Sequence, residues 1–106
     1  LDQTKIRQAL FNLLRNAQES IQHTHGKILF SASAVPDGVQ ITISDNGCGM
    51  TEDQIENAFR PFVTYKPGGT GLGLAVTRQI IEAHQGTLCV ESTPKEGTSF
   101  YIFLPG

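Results

Sequence analysis

The spacing of apolar residues divides the chain into elements before any other property is consulted. From residue 3 to about residue 22, Ile6, Leu10, Leu13, Leu14, Ala17 and Ile21 recur at helical spacing and form one apolar stripe. His23-Thr24-His25-Gly26 ends that helix, with Gly26 as a natural stop. From Lys27 the period becomes two. Ile28, Phe30 and Ala32 alternate with Leu29, Ser31 and Ser33, and Val39, Ile41 and Ile43 alternate with Gln40, Thr42 and Ser44. Pro36-Asp37-Gly38 between the two runs predicts a hairpin.

Thr51 stands where an N-cap belongs, ahead of a short helix over 52–59 that has Asp53 and Gln54 in its first turn. Residues 60–70 read as loop, and a second long helix runs from about 71 to 84, closed by Gly86. Two strands, 87–92 and 98–104, finish the chain around a turn at 93–97. This order predicts an α+β fold, a two-layer α/β sandwich with a mixed, mostly antiparallel sheet and its helices packed on one face.

The 106 residues, 39% of them hydrophobic, suit one domain with one core. A net charge of −2 leaves no basic footprint, so nucleic acid is not expected as a partner. No apolar run approaches the ~20 residues that span a bilayer, and no signal peptide is visible; a cytoplasmic location is the expectation. Cys48 and Cys89 form no CxxC pair and read as free thiols, although spacing alone leaves a bridge open. Leu1-Asp2 leads into the first helix without a strand for it to pack on, so 1–106 reads as a domain trimmed at its N-terminal side from a longer polypeptide.

Four clusters carry chemistry. Asn12 and Asn16, at i and i+4, project from one side of the first helix, beside its apolar stripe. An amide oxygen there suits a hard cation such as Mg²⁺ without adding charge near phosphates; the plainer reading is a solvated polar face. Asp45-Asn46-Gly47-Cys48-Gly49-Met50 follows a strand. It is either an ordinary tight turn or a carboxylate that accepts from an exocyclic amine, with Gly47 and Gly49 letting the backbone pass close to a flat ring. Phe59, Pro61 and Phe62 read as the apolar anchor of the following loop, in which Lys66 is the one cation. Gly68-Gly69-Thr70-Gly71-Leu72-Gly73 then enters a helix, where close backbone approach and unpaired N–H groups favour a chain of phosphates. No Gly-Lys-Ser/Thr follows, so this is not a P-loop.

Together these clusters resemble the catalytic ATP-binding domain of two-component sensor histidine kinases, and most closely kinases of the nitrogen-regulation type. Asn12–Asn16 matches the N box, Asp45–Gly49 the G1 box, Phe59–Phe62 the F box and Gly69–Leu74 the G2 box. Gly97-Thr98-Ser99-Phe100 matches the glycine-threonine motif before the last strand. The resemblance spans essentially the whole chain and extends to a superfamily with gyrase-type topoisomerases, MutL-type ATPases and a heat-shock chaperone, all with the Bergerat fold.

The resemblance implies ATP and Mg²⁺ as cofactors, with Asn16 as metal ligand and Asn12 as a neighbouring contact to metal water or phosphate. Asp45 would bind the adenine amine, with Thr98 helping through water and Gly47 and Gly49 lining the ring. Gly69, Thr70, Gly71, Leu72 and Gly73 would contact phosphates. Asn12 and Lys66 stand as catalytic candidates, and the loop carrying Lys66 reads as a movable lid. Hydrolytic relatives hold a glutamate general base where Asn12 stands, and an amide cannot take a proton from water; the domain therefore reads as one that holds ATP for transfer.

The implied partners are a dimerisation domain bearing the phosphoacceptor histidine, a response regulator downstream, and a second copy of the parent kinase. His23, His25 and His84 lack the context of such an acceptor. Glu19 departs from the family, which often has lysine there, and Arg15 and Lys66 are the candidates to supply that charge. The alternatives are a hydrolytic ATPase of the same fold, and a nucleotide-binding switch or anti-sigma serine kinase.

Overall fold

A computed structural model describes residues 3–21, 24–59 and 73–106. The elements run α1 (Gln3–Ser20), β1 (Ile28–Val35), β2 (Gly38–Asp45), α2 (Glu52–Asn57), α3 (Gly73–Ala83), β3 (Thr87–Thr93) and β4 (Gly97–Pro105). The four strands form one sheet in the order β1-β2-β4-β3, and all three pairings are antiparallel. The predicted two-layer architecture is present, with α1 and α3 packed side by side on one face.

Register explains how the core is filled. Residues directly opposite across an antiparallel pair share a face. Ile43 lies opposite Phe100, which lies opposite Val90; Ile41 lies opposite Ile102, which lies opposite Leu88. These apolar rows meet Ala9, Leu13 and Ala17 of α1 and Ile80 and Ile81 of α3. Phe100, Leu13, Ile43, Ile81 and Ile102 are fully buried, each contributing about 1.5–3 kcal/mol of transfer free energy. The α1 stripe therefore includes the small residues Ala9 and Ser20 at its centre, with Ile6, Leu10 and Leu14 as its half-buried margin. Small side chains allow the helix to lie close to its neighbours.

The alternation in β1 is present but does not produce burial. Phe30 pairs with Ile43 and Ala32 with Ile41, so their side chains share the helix-side face. Even so, Phe30 is 50% exposed, and Leu29 on the opposite face is 70% exposed. The cause is geometric: α1 packs mainly over β2 and α3 over β3, and no described helix packs as closely on β1.

One helix start takes its expected form and one helix end departs from it. Thr51 does cap α2, as a full capping box: its side chain accepts from Gln54 N–H at 3.2 Å, while Gln54 Oε1 accepts from Thr51 N–H at 2.9 Å. At the end of α3 the left-handed residue is Gln85 (φ 65°), not Gly86. Gly86 N–H bonds to Ile81 C=O and Gln85 N–H to Glu82 C=O, the paired bonds of a Schellman motif. Gly86 serves a different purpose, because a Cβ there would sit 2.4 Å from Phe103 O. His84 takes the helix end as expected, with Nδ1 2.8 Å from Ile80 O.

Candidate functional site

The apolar rows of the sheet stop at one end, and a polar row replaces them. Asp45 on β2 lies opposite Thr98 on β4, and Thr98 lies opposite Ser92 on β3. All three continue the inward parity of their strands, Ile41-Ile43-Asp45, Phe100-Thr98 and Leu88-Val90-Ser92, so they point toward the helix layer. Asp45 and Thr98 are buried and Ser92 is half-buried.

Asp45 is held by one of its two oxygens. Oδ1 accepts from Gly47 N–H at 2.8 Å and lies 3.1 Å from Ser20 Oγ, whose single hydrogen is shared between Oδ1 and Ala17 C=O at 2.9 Å. Oδ2 is buried and has no hydrogen-bond partner among the described residues. An unpartnered buried carboxylate oxygen costs more than a kcal/mol or so, and such a group is normally matched by water or a ligand. The chemistry fits a ligand N–H, and an exocyclic amine satisfies it. The described residues therefore suit the adenine end of a nucleotide.

The segment after Asp45 is clamped on three sides. Ser20 C=O, at the last turn of α1, accepts from Cys48 N–H at 3.0 Å. Cys48 C=O accepts from Lys95 N–H at 2.7 Å, which ties the loop to the β3–β4 turn. Asn46 closes the α1–β1 connection, donating through Nδ2 to His25 C=O at 2.9 Å and accepting from Lys27 N–H at 2.7 Å. Glycines make these approaches feasible. A Cβ on Gly47 would lie 2.4 Å from Ser20 Oγ, and one on Gly49 (φ 68°) would lie 2.0 Å from Thr93 O. Here the space that Gly47 and Gly49 leave is taken by the chain itself.

On α1, Asn12 and Asn16 are half-buried and flank the buried stripe on one side, as their spacing predicts. Ser20 is one further turn along the helix from Asn16, so a single helix face links the metal-type amides to the Asp45 carboxylate. Arg15 does not supply a charge to that face: its guanidinium lies over Phe11, 5.8 Å from the ring centroid, on the solvent side of α1. Glu19 is exposed. Phe59 packs against the core as an anchor, with the Arg78 guanidinium 5.1 Å from its ring centroid. Pro61, Phe62, Lys66, Gly69, Thr70, Gly71 and Leu72 lie outside the described residues; Gly73 opens α3.

The chain matches, over residues 1–106, the family model described as "Histidine kinase-, DNA gyrase B-, and HSP90-like ATPase". It belongs to that family. Within the family it is similar to sensor histidine kinases. Sporulation kinase B of Bacillus subtilis is 43% identical over 104 residues, which is 98% of this chain and 24% of that protein. The mycobacterial sensor histidine kinase MprB superposes with a TM-score of 0.88 at 29% identity, covering 100% of this chain and 73% of that one. ShkA, solved at full length in complex with AMPPNP, superposes with a TM-score of 0.84 at 30% identity, covering 99% of this chain and 23% of that one. The chain thus spans about a quarter or less of the curated relatives it matches. Membership in the histidine kinase-like ATPases establishes the fold and an ATP-binding family, and supports kinase activity in that family.

Two members of the site went unread in the sequence. Ser20 and Ser92 belong to no motif, yet each carried a signal. Ser20 continues the Ala9-Leu13-Ala17 stripe, and Ser92 occupies the inward parity of Leu88 and Val90. A serine on an otherwise apolar face marks a buried hydrogen bond.

Proposed function

We propose that this chain binds Mg-ATP and donates the γ-phosphoryl group to a histidine on a separate dimerisation domain of its parent kinase. The observation that carries the reading is Asp45 Oδ2, a buried acceptor left bare at the end of a polar row in a member of an ATP-binding family. Its neighbour Oδ1 is fixed by Ser20 and Gly47, so the free oxygen is preorganised for an amine and needs no rearrangement on binding. The complex of ShkA with an ATP analogue supports the same reading.

Asn16 would hold Mg²⁺, with Asn12 beside it. Among the described residues no three His, Cys, Asp or Glu side chains cluster, so the donor set fits a magnesium ion shared with phosphate oxygens and water better than an all-protein cage. When bound, the ion neutralises charge on the phosphates. Asn12, a neutral amide, cannot serve as a general base toward water, which favours transfer over hydrolysis. Gly69, Thr70, Gly71, Leu72 and Gly73 would contact the phosphates, with Lys66 as a point charge. The response regulator would receive the phosphoryl group in a later step, with this domain in the cytoplasm and the parent kinase a homodimer.

The test combines the chain with the parent's dimerisation domain and ATP labelled in its γ-phosphate. Label in an acid-labile, base-stable phosphohistidine is the expected result. Rapid release of free phosphate with an unlabelled acceptor overturns transfer in favour of hydrolysis, and ATP bound without either outcome favours a nucleotide switch.

A further inference from the structure

The polar row contains a hydroxyl whose hydrogen can go in only one direction. Ser92 Oγ lies 2.9 Å from Gly97 O, 2.8 Å from Met50 N and 2.8 Å from Thr98 Oγ1. A hydroxyl has one hydrogen and two lone pairs. Gly97 C=O can only accept, so it takes the Ser92 hydrogen. Met50 N–H can only donate, so it takes one lone pair. The contact that remains is a hydrogen bond only if Thr98 donates to Ser92. In the opposite arrangement Ser92 donates to Thr98 and leaves two oxygens facing each other at 2.9 Å with no hydrogen between them.

This order fixes what Thr98 offers the pocket. Its hydrogen is committed to Ser92, so Oγ1 presents lone pairs only. Asp45 is the cross-strand neighbour of Thr98 on the same face. A threonine hydroxyl released beside a bare carboxylate would turn and donate to it, closing the acceptor. Asp45 Oδ2 has no such partner.

We propose that Ser92 is a positioning residue of the purine site: by accepting the Thr98 hydroxyl hydrogen it keeps Asp45 Oδ2 bare and leaves the pocket floor lined by acceptors only. The inference rests on the nucleotide reading above. An acceptor-only floor takes the 6-amino group of adenine, which donates. It rejects a 6-oxo purine, whose oxygen would face the same lone pairs. Ser92 then sets base selectivity without touching the base.

The test titrates the purified chain with Mg-ATP and with Mg-inosine triphosphate, which carries a 6-oxo group. Wild type, Ser92→Ala, Ser92→Thr, Thr98→Val and the double variant Ser92→Ala/Thr98→Val are compared. The ATP preference of the wild type is expected to fall about tenfold in Ser92→Ala and to be retained in Ser92→Thr. Once Thr98 has no hydroxyl, Ser92→Ala is expected to leave the ratio unchanged. A purely structural role through the Met50 N–H would persist in that background. Equal effects in both backgrounds, an unchanged ratio in Ser92→Ala, or no ATP preference in the wild type overturn the proposal.

Proton NMR of the wild type gives a second readout that needs no variant to fold. A slowly exchanging Thr98 hydroxyl proton with a cross-peak to the Ser92 β-protons is expected, and a cross-peak to Asp45 instead overturns the proposal. A wild-type chain that binds neither nucleotide refutes the ATP reading, while the NMR result still decides the hydrogen's direction.

Discussion

Asp45→Asn separates the role of this carboxylate in folding from its role in binding. The substitution is isosteric and removes one charge. The amide oxygen can keep the place of Oδ1, still accepting from Gly47 N–H and Ser20 Oγ. Its NH₂ then occupies the place of Oδ2, so a donor faces the position of the ligand amine. The lost bond to a charged acceptor is worth about 1.5–3 kcal/mol, and the unmatched pair of donors adds about 1–3 kcal/mol. A combined loss of about 2.5–6 kcal/mol weakens ATP by roughly two to four orders of magnitude. Isothermal titration with Mg-ATP measures this, and thermal unfolding without nucleotide is expected to stay within a few degrees of the wild type. Unchanged ATP affinity in a folded variant refutes the assignment of Asp45 Oδ2 as the amine acceptor.

Asn16→Ala is expected to abolish Mg²⁺-dependent phosphoryl transfer, measured by label transfer to the acceptor domain. Gly97→Ala places a Cβ 2.0 Å from Asp45 O at φ 129°; backbone must move, and a loss of about 3 kcal/mol or more is expected in urea unfolding. Gln85→Gly relieves a left-handed side-chain residue at φ 65° and is expected to stabilise by about 0.5–1 kcal/mol, raising the melting temperature by about 2–8 °C. Phe30→Thr on the half-exposed edge strand is expected to reduce aggregation at high concentration, by light scattering, with ATP affinity unchanged.

Much of the fold was legible because local and long-range signals agreed. Ile41, Ile43, Phe100 and Ile102 alternate in sequence and meet in one core. Thr51 and Gln54 announced a helix start that is closed by two short bonds. The uncovered face of β1 was not legible, because alternation reports which side a residue faces and not whether a helix reaches it. Gln85 was missed for a related reason. A glycine near a helix end invites the left-handed role, but Gly86 is needed where the chain passes Phe103 O, and that proximity exists only in three dimensions. In the site, Asp45 was legible as an acid at a strand end followed by Gly-x-Gly. Ser20 and Ser92 were harder to see, since each gains meaning only from a partner 25 residues or 6 residues away.

The glycines around Asp45 sharpen what kind of site this is. Gly47 lets the loop lie against Ser20, Gly49 against Thr93, and Gly97 against the carbonyl of Asp45 itself. All three sit where backbone meets backbone or a short buried side chain, so the loop, the end of α1 and the β3–β4 turn are fixed together around one carboxylate. Loss of any one approach would free Oδ1 from Ser20 or Gly47 and let the carboxylate rotate. If Asp45 takes the base as proposed, the purine end of the site would be formed when the sheet forms, before any ligand arrives. The asparagines stand on the same helix that Ser20 ends. A shift of α1 would move the two asparagines and the Ser20 contact to Asp45 together, so on the proposed reading the metal and base ends of the site would be coupled through one helix.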